Sequence, residues 1–160
     1  MTAASPEALL GAAGFTLPEV SRPRGSYAPY CIVDTDASRW VSIAGQVCRR
    51  QGVAMAGQCR GQADVEPARR AAEVSMLNAL AALRMACDDD LSNVIQIVRV
   101  RGFIRAAPDF GHHPAVLDAA SSILRIAFPE QPLPARSALG VASLPDGAWI
   151  EIEIDAVVMA

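Results

Sequence analysis

Arg136, Glu151, Glu153 and Asp155 are the residues whose types and spacing could handle a small polar molecule. A guanidinium grips a carboxylate through two parallel N–H bonds and holds it in plane. A carboxylate nearby can position a water or pass a proton to a reacting nitrogen. The stretch that carries them, residues 133–155, reads as two strands joined by Pro145-Asp146-Gly147. Proline presets one φ, aspartate bonds its own backbone and glycine accepts positive φ, which together make a turn. Pro134 cannot donate to a sheet ladder and so marks a strand start. Ile150, Ile152 and Ile154 alternate with Glu151, Glu153 and Asp155, giving one apolar and one acidic face.

With Leu144–Gly147 as the loop, a hairpin register sets Leu139 and Val141 beside the isoleucines. Arg136, Ala138, Gly140 and Ala142 then share the acidic face. Small residues beside an arginine leave open volume for a small acidic ligand. In this register Arg136 faces Asp155, while Glu151 lies opposite Gly140, about 13 Å further along. Twist, a bulge or assembly of subunits must then bring the groups together. On spacing alone, Arg136 pairs with Asp155 or Glu153, and Glu151 and Glu153 pair with Arg99 and Arg101 on a neighbouring strand.

The rest of the chain must position these groups. Ser5-Pro6-Glu7 begins a helix: a capping serine, a proline in the first turn and an acid at the positive end. Gly14 stops it, and residues 15–26 form a loop. Tyr30–Val33 and Trp40–Ala44 read as strands around the turn at residues 34–38. Gly45-Gln46 follows, and residues 49–63 read as loop with a short strand at most. Asp64 caps a long helix whose Val74, Leu77, Ala81 and Met85 recur at helical spacing, reaching about Cys87. Val94–Ile104 is a long strand, with Val94, Val98, Val100 and Ile104 on one face and Ile95, Ile97, Arg99, Arg101 and Phe103 on the other. Ala115–Phe128 is a second long helix, closed by Pro129 and Pro132. The order of elements implies one mixed sheet with helices on one face. The opposite face is too polar for a core and needs a cover, which a homo-oligomer with polar clefts between subunits would provide.

Composition narrows the function. The 160 residues suit a single domain with a real core. A net charge of −3 and scattered arginines disfavour nucleic acid as the main partner. No apolar run approaches the roughly 18 residues of a membrane span, and no basic-then-apolar leader opens the chain. Cys31, Cys48, Cys59 and Cys87 form no C-x-x-C pair, so free thiols in a reducing cytosol are expected rather than zinc ligands. Asp88-Asp89-Asp90 reads as a solvated turn and His112-His113 as surface, since adjacent histidines point apart.

The run from Arg136-Ser137 through Leu144-Pro145 to Ile150-Glu151-Ile152-Glu153 resembles the RidA/YjgF family of reactive-intermediate deaminases (endoribonuclease L-PSP-like). Gly25-Ser26-Tyr27, Gly45-Gln46 and the helix ending Asn78–Leu83 support it. The resemblance covers about residues 25–158, within one domain over 1–160 whose residues 1–20 form a helical extension. That extension and Ala107–Phe110 resemble a longer-chain branch. The resemblance implies an α+β, chorismate-mutase-like protomer that assembles as a cytoplasmic homotrimer with ligand sites in three inter-subunit clefts. It implies hydrolysis of 2-imino acids to 2-keto acids and ammonia, without metal or organic cofactor. It also implies that Arg136 binds the substrate carboxylate and Glu151 acts as the acid. The Ala138 backbone would bond the substrate, and Tyr27 would supply a hydroxyl or wall from an adjacent subunit. The chain departs from the family where Ala138 replaces a common cysteine and Ala44 a common serine. The family's asparagine on the second helix has its nearest counterparts in Ser121 and Ser122. The alternatives are a non-catalytic binding protein for a small keto or amino acid and, less favoured, an endoribonuclease.

Overall fold

The computed structural model describes residues 4–160. Helix α1, Pro6–Ala12, opens as expected, with the Ser5 side chain accepting from the Ala8 N–H at 3.2 Å. Strands β1 (Tyr30–Asp34) and β2 (Ser38–Val47) follow, then a small antiparallel pair, β3 (Arg49–Arg50) and β4 (Val53–Ala54). Gln51 and Gly52 both have positive φ, the conformation of a two-residue primed turn. Helix α2 spans Val65–Ala86. Asp64 precedes it, but its carboxylate accepts from the backbone N–H groups of Arg60 (2.7 Å) and Gly61 (3.3 Å), so it organises the incoming turn rather than capping the helix. Strand β5 (Val94–Arg105), helix α3 (His113–Ala127), strand β6 (Ala135–Val141) and strand β7 (Ile150–Met159) complete the chain.

The fold is α+β: one five-stranded mixed sheet in the order β1-β2-β7-β5-β6, with α2 and α3 layered on one face. Only β5 and β6 run parallel, because α3 returns the chain to the same end of the sheet before β6 begins. Ile150, Ile152 and Ile154 are fully buried beneath the helices with Met76, Leu80, Leu83, Leu117 and Ile123. Glu7 ties α1 to the turn before β5 by accepting from the Leu91 N–H at 2.9 Å. No helix among the described residues is long and apolar enough to cross a membrane. Cys48, Cys59 and Cys87 are buried, Cys31 is exposed, and all four are free.

Besides the Asp64 cap and the expected α2 stripe, whose Met85 is 44% exposed where Met76, Leu80 and Leu83 are buried instead, two expectations fail over strand pairing. β6 and β7 do not form a hairpin, because β5 lies between them and pairs with both. Local turn chemistry at Pro145–Gly147 is real, with Asp146 at φ 54°, but it turns the chain around the end of β5 rather than back onto β6. The faces therefore change. Arg136, Ala138 and Gly140 align with Val100, Gly102 and Ile104, which align in turn with Ile154, Ile152 and Ile150. Arg136 thus lies on the helix face, opposite to the acids, while Leu139 and Val141 join the open face. The second failure is in β5. A register shift between Ile97 and Arg99 breaks its strict alternation, so Ile97 is buried with Val100 and Ile104.

Candidate active site

Glu151 stands on the open face of β7, opposite Val47 of β2 and Phe103 of β5. At Ala44-Gly45 the β2 ladder slips between Ile43 and Gln46, and the bulge carries Gly45 under the Glu151 side chain. A Cβ on Gly45 would lie 2.0 Å from Oε1 of Glu151. Glycine at this position leaves the Glu151 carboxylate the volume that a side chain would otherwise take. Among the described residues, no ion pair or side-chain hydrogen bond holds this carboxylate. Its neighbours on the strand differ: Arg101 bonds Asp155 at 2.9 Å and Glu153 at 3.4 Å, and Ser42 donates to Asp155 at 2.8 Å. The expected pairing of Glu153 with Arg101 is present, and that of Glu151 is not. Burial pushes the Glu151 carboxyl above its ordinary value; the Glu153 charge adds to the shift and Arg49 opposes it.

Glu151 opens into a cleft of about 550 Å³ whose lining includes Arg22, Arg24, Tyr27, Gly45, Arg49 and Asp146. The loop before β1 forms one wall, and Tyr27 on it is 54% exposed. The β3 end forms the other wall. Asn78, on α2 and nearly buried, donates from Nδ2 to the carbonyls of Val47 (3.0 Å) and Arg49 (3.1 Å), so the helix fixes the backbone that carries Arg49. Asp146 then joins the walls. Its Oδ2 accepts from Arg24 at 2.9 Å and also from Arg49, while Arg24 reaches the Gly52 carbonyl at 3.1 Å. The paired guanidiniums, Arg49 foremost, hold the Asp146 carboxyl below its ordinary value.

Arg136 lies elsewhere in the chain. Its Nη1 bonds Asp118 Oδ1 at 2.8 Å and Ser121 Oγ at 3.0 Å on α3. Neither Asp155 nor Glu153 is its partner; the face exchange described above excludes both. Ala138 shares its face, and at the far end Gly140 packs under His113, whose Nε2 a Cβ would meet at 2.5 Å. Within one chain, then, Tyr27 and Glu151 line one cleft. Arg136 and Ala138 sit on the other side of the sheet, with β5 between β6 and β7. Sequence reasoning missed the cleft cations Arg22, Arg24 and Arg49 and the anchoring Asp146. They come from separated loops that carry no periodicity, and only the Arg49-Arg50 pair left a mark in the sequence. Among the described residues, no group of three or more His, Cys, Asp or Glu side chains could hold a metal ion.

An edge strand joined by a helical crossover, two helices on one sheet face and a cleft at the β2–β7 bulge define an α+β protein of the chorismate-mutase-like class. Residues 7–145 match the family described as "YjgF/chorismate_mutase-like, putative endoribonuclease", and the chain belongs to that family. It is 32% identical to a structure from Shewanella oneidensis described as a "putative endoribonuclease", with a TM-score of 0.86 over 96% of this chain and 99% of that one. The protein Atu1372 of Agrobacterium tumefaciens gives 30% identity and a TM-score of 0.85 over 96% and 92% of the two chains. The YjgF gene product of E. coli is more distant, at 25% identity and a TM-score of 0.59 over 87% and 93%. Among curated proteins, Protein TCP17 of Trypanosoma cruzi is 29% identical over 142 residues, covering 88% of this chain and 86% of that one.

Proposed function

We propose that the chain is a 2-imino acid deaminase that works at the clefts of a cytoplasmic homotrimer. The observation that carries this reading is Glu151: a carboxyl without a protein partner among the described residues, raised above its ordinary value, in a cleft that Tyr27 also lines. An enamine such as 2-aminoacrylate tautomerises to the imine. Water attacks the imine carbon while the protonated carboxyl of Glu151 delivers a proton to nitrogen. The C–N bond then breaks, the water's protons are lost to nitrogen and to the carboxylate, and a 2-keto acid and ammonia leave. No cofactor enters the scheme.

The substrate's own carboxylate needs a guanidinium. We assign it to Arg136 of a neighbouring subunit, with the Ala138 backbone beside it, because these two groups face away from the cleft of their own chain. The Arg136–Asp118 pair is no obstacle. Asp118 is 60% exposed, and exposed pairs contribute about 0–1 kcal/mol, whereas charge-assisted bonds to a bound carboxylate contribute about 1.5–3 kcal/mol each. The open sheet face supports assembly, since it leaves Val33, Trp40 and Leu139 exposed beside the Arg101–Asp155 network. Three buried free thiols suit a reducing compartment.

The internal bonds of Arg136 to Asp118 and Ser121 favour a second reading, a binding protein for small keto acids that does no chemistry. Keto acid release from freshly generated 2-aminoacrylate separates the two. Deamination requires acceleration by the wild type, little by Arg136→Ala, and poor rescue by Arg136→Lys, which lacks the planar fork. Equal rates for wild type and Arg136→Ala reject it, and a thermal shift with 2-keto acids without turnover selects the binding protein.

A further inference from the structure

The cleft holds more positive charge than imine hydrolysis uses. Arg22, Arg24 and Arg49 line it, against two carboxylates, Asp146 and Glu151. Asp146 gathers Arg24 and Arg49 on a single oxygen. Among the described residues, Nε and Nη2 of Arg49 have no acceptor, and Arg22 has no ion-pair partner. The arrangement is also built. Asn78 fixes the Arg49 backbone, Asp146 fixes its side chain, and Gly52 fixes Arg24. Volume points the same way. About 550 Å³ falls in the range of clefts that take drug-sized ligands, far more than a three-carbon imino acid fills.

Resting on the reading proposed above, we infer that the substrate carries a second anionic group, a carboxylate or a phosphate, at the end remote from the imine. Its first carboxylate lies on the neighbour's Arg136 and its second anion on Arg22, Arg24 and Arg49. Guanidinium forks match both carboxylate and phosphate, so the chemistry of recognition is shared. The reacting carbon then sits between the two anion sites, next to Glu151 and Tyr27. Imines of dicarboxylic or phosphorylated amino acids fit this spacing; imines of short monoanionic amino acids leave the arginine wall unpaired.

The test is calorimetric binding of three keto acids to the intact protein: 2-oxobutyrate, 2-oxoglutarate and 3-phosphohydroxypyruvate. Wild type binds at least one of the two dianionic acids about tenfold more tightly than 2-oxobutyrate, and the tighter of the two identifies the distal group. In Arg22→Ala/Arg24→Ala the preference falls to within about threefold; the exposed single variant Arg22→Ala moves it in the same direction if the double variant does not fold. Equal affinities in wild type, or a preference that survives both variants, overturn the inference. A parallel assay on oxidase-generated imines of 2-aminobutyrate and glutamate keeps the two proposals apart. Hydrolysis without a dianion preference in binding leaves the deaminase and removes the second site. A dianion preference without hydrolysis of either imine does the reverse, and absence of binding by all three acids removes both.

Discussion

Gly45→Ala separates a catalytic Glu151 from a bystander. The backbone at Gly45 does not have positive φ, so alanine is conformationally allowed. The new Cβ would sit 2.0 Å from Oε1 and 2.8 Å from Cδ of Glu151, but 3.1 Å from Cγ. The clash falls on the mobile end of the side chain, and the carboxylate swings aside while the strand stays. The stability cost therefore belongs at the low end of overpacking, about 1 kcal/mol, or about 2–4 °C in Tm for a chain of this size. Activity responds differently. A reacting group displaced by about 1 Å loses about 100-fold in rate. Keto acid release from 2-aminoacrylate, followed alongside thermal unfolding, should show about 100-fold lower kcat/KM in a protein that melts within a few degrees of wild type. Gly45→Ala added to Glu151→Gln should cost little more, since the group it displaces is already disabled. A folded Gly45→Ala protein with wild-type kcat/KM refutes the placement of Glu151 as the proton donor.

Other outcomes follow from the same geometry. The Glu151 carboxyl is raised in the folded protein, so ionising it costs stability. That cost is absent below the unfolded value near 4.5 and complete above the folded one. Glu151→Gln should thus gain Tm over wild type as pH rises from about 4.5, and the deaminase rate of wild type should fall as the proton donor ionises over the same rise; a pH-independent Tm difference contradicts this. Asn78→Ala removes both bonds that hold Val47 and Arg49 and orphans their carbonyls. Unfolding in urea should show a loss of about 1–3 kcal/mol. A loss below about 0.5 kcal/mol, the range of an ordinary surface substitution, says that α2 does not brace the cleft.

The fold was legible where local pattern and tertiary demand agree. The alternation of β7 reappears as a buried face and Ser5 caps α1 as its position implies, but the α2 stripe holds only in part: Val74 and Ala81 are buried, while Met85 is 44% exposed because the face turned to the sheet runs through Met76, Leu80 and Leu83. Pattern misled at β6. Pro145-Asp146-Gly147 has every local property of a hairpin turn, and no local property records that the parallel crossover through α3 delivers β5 between the two strands. One inserted strand moved Arg136 to the opposite face from Glu151. Ile97 was misplaced for a similar reason, since a bulge leaves no trace in alternation. Within the candidate site, Tyr27 and Glu151 were readable from family resemblance. The reason for Gly45 was not, because it is a contact across 106 positions of the chain, from Gly45 to Glu151. The cationic wall was equally hidden, since arginines in loops look alike until a shared carboxylate brings two of them together.

The central claim is that each working cleft joins Glu151 of one chain to Arg136 of another. Subunit mixing tests it directly. Arg136→Ala and Glu151→Gln proteins, each inactive alone, are co-refolded in equal amounts and assayed for keto acid release. In a randomly assembled trimer, about a quarter of the clefts receive an intact Arg136 from one parent and an intact Glu151 from the other, so about a quarter of wild-type activity should return. Activity that stays at the level of the separate variants contradicts the claim, since it means that no cleft draws its two groups from different chains.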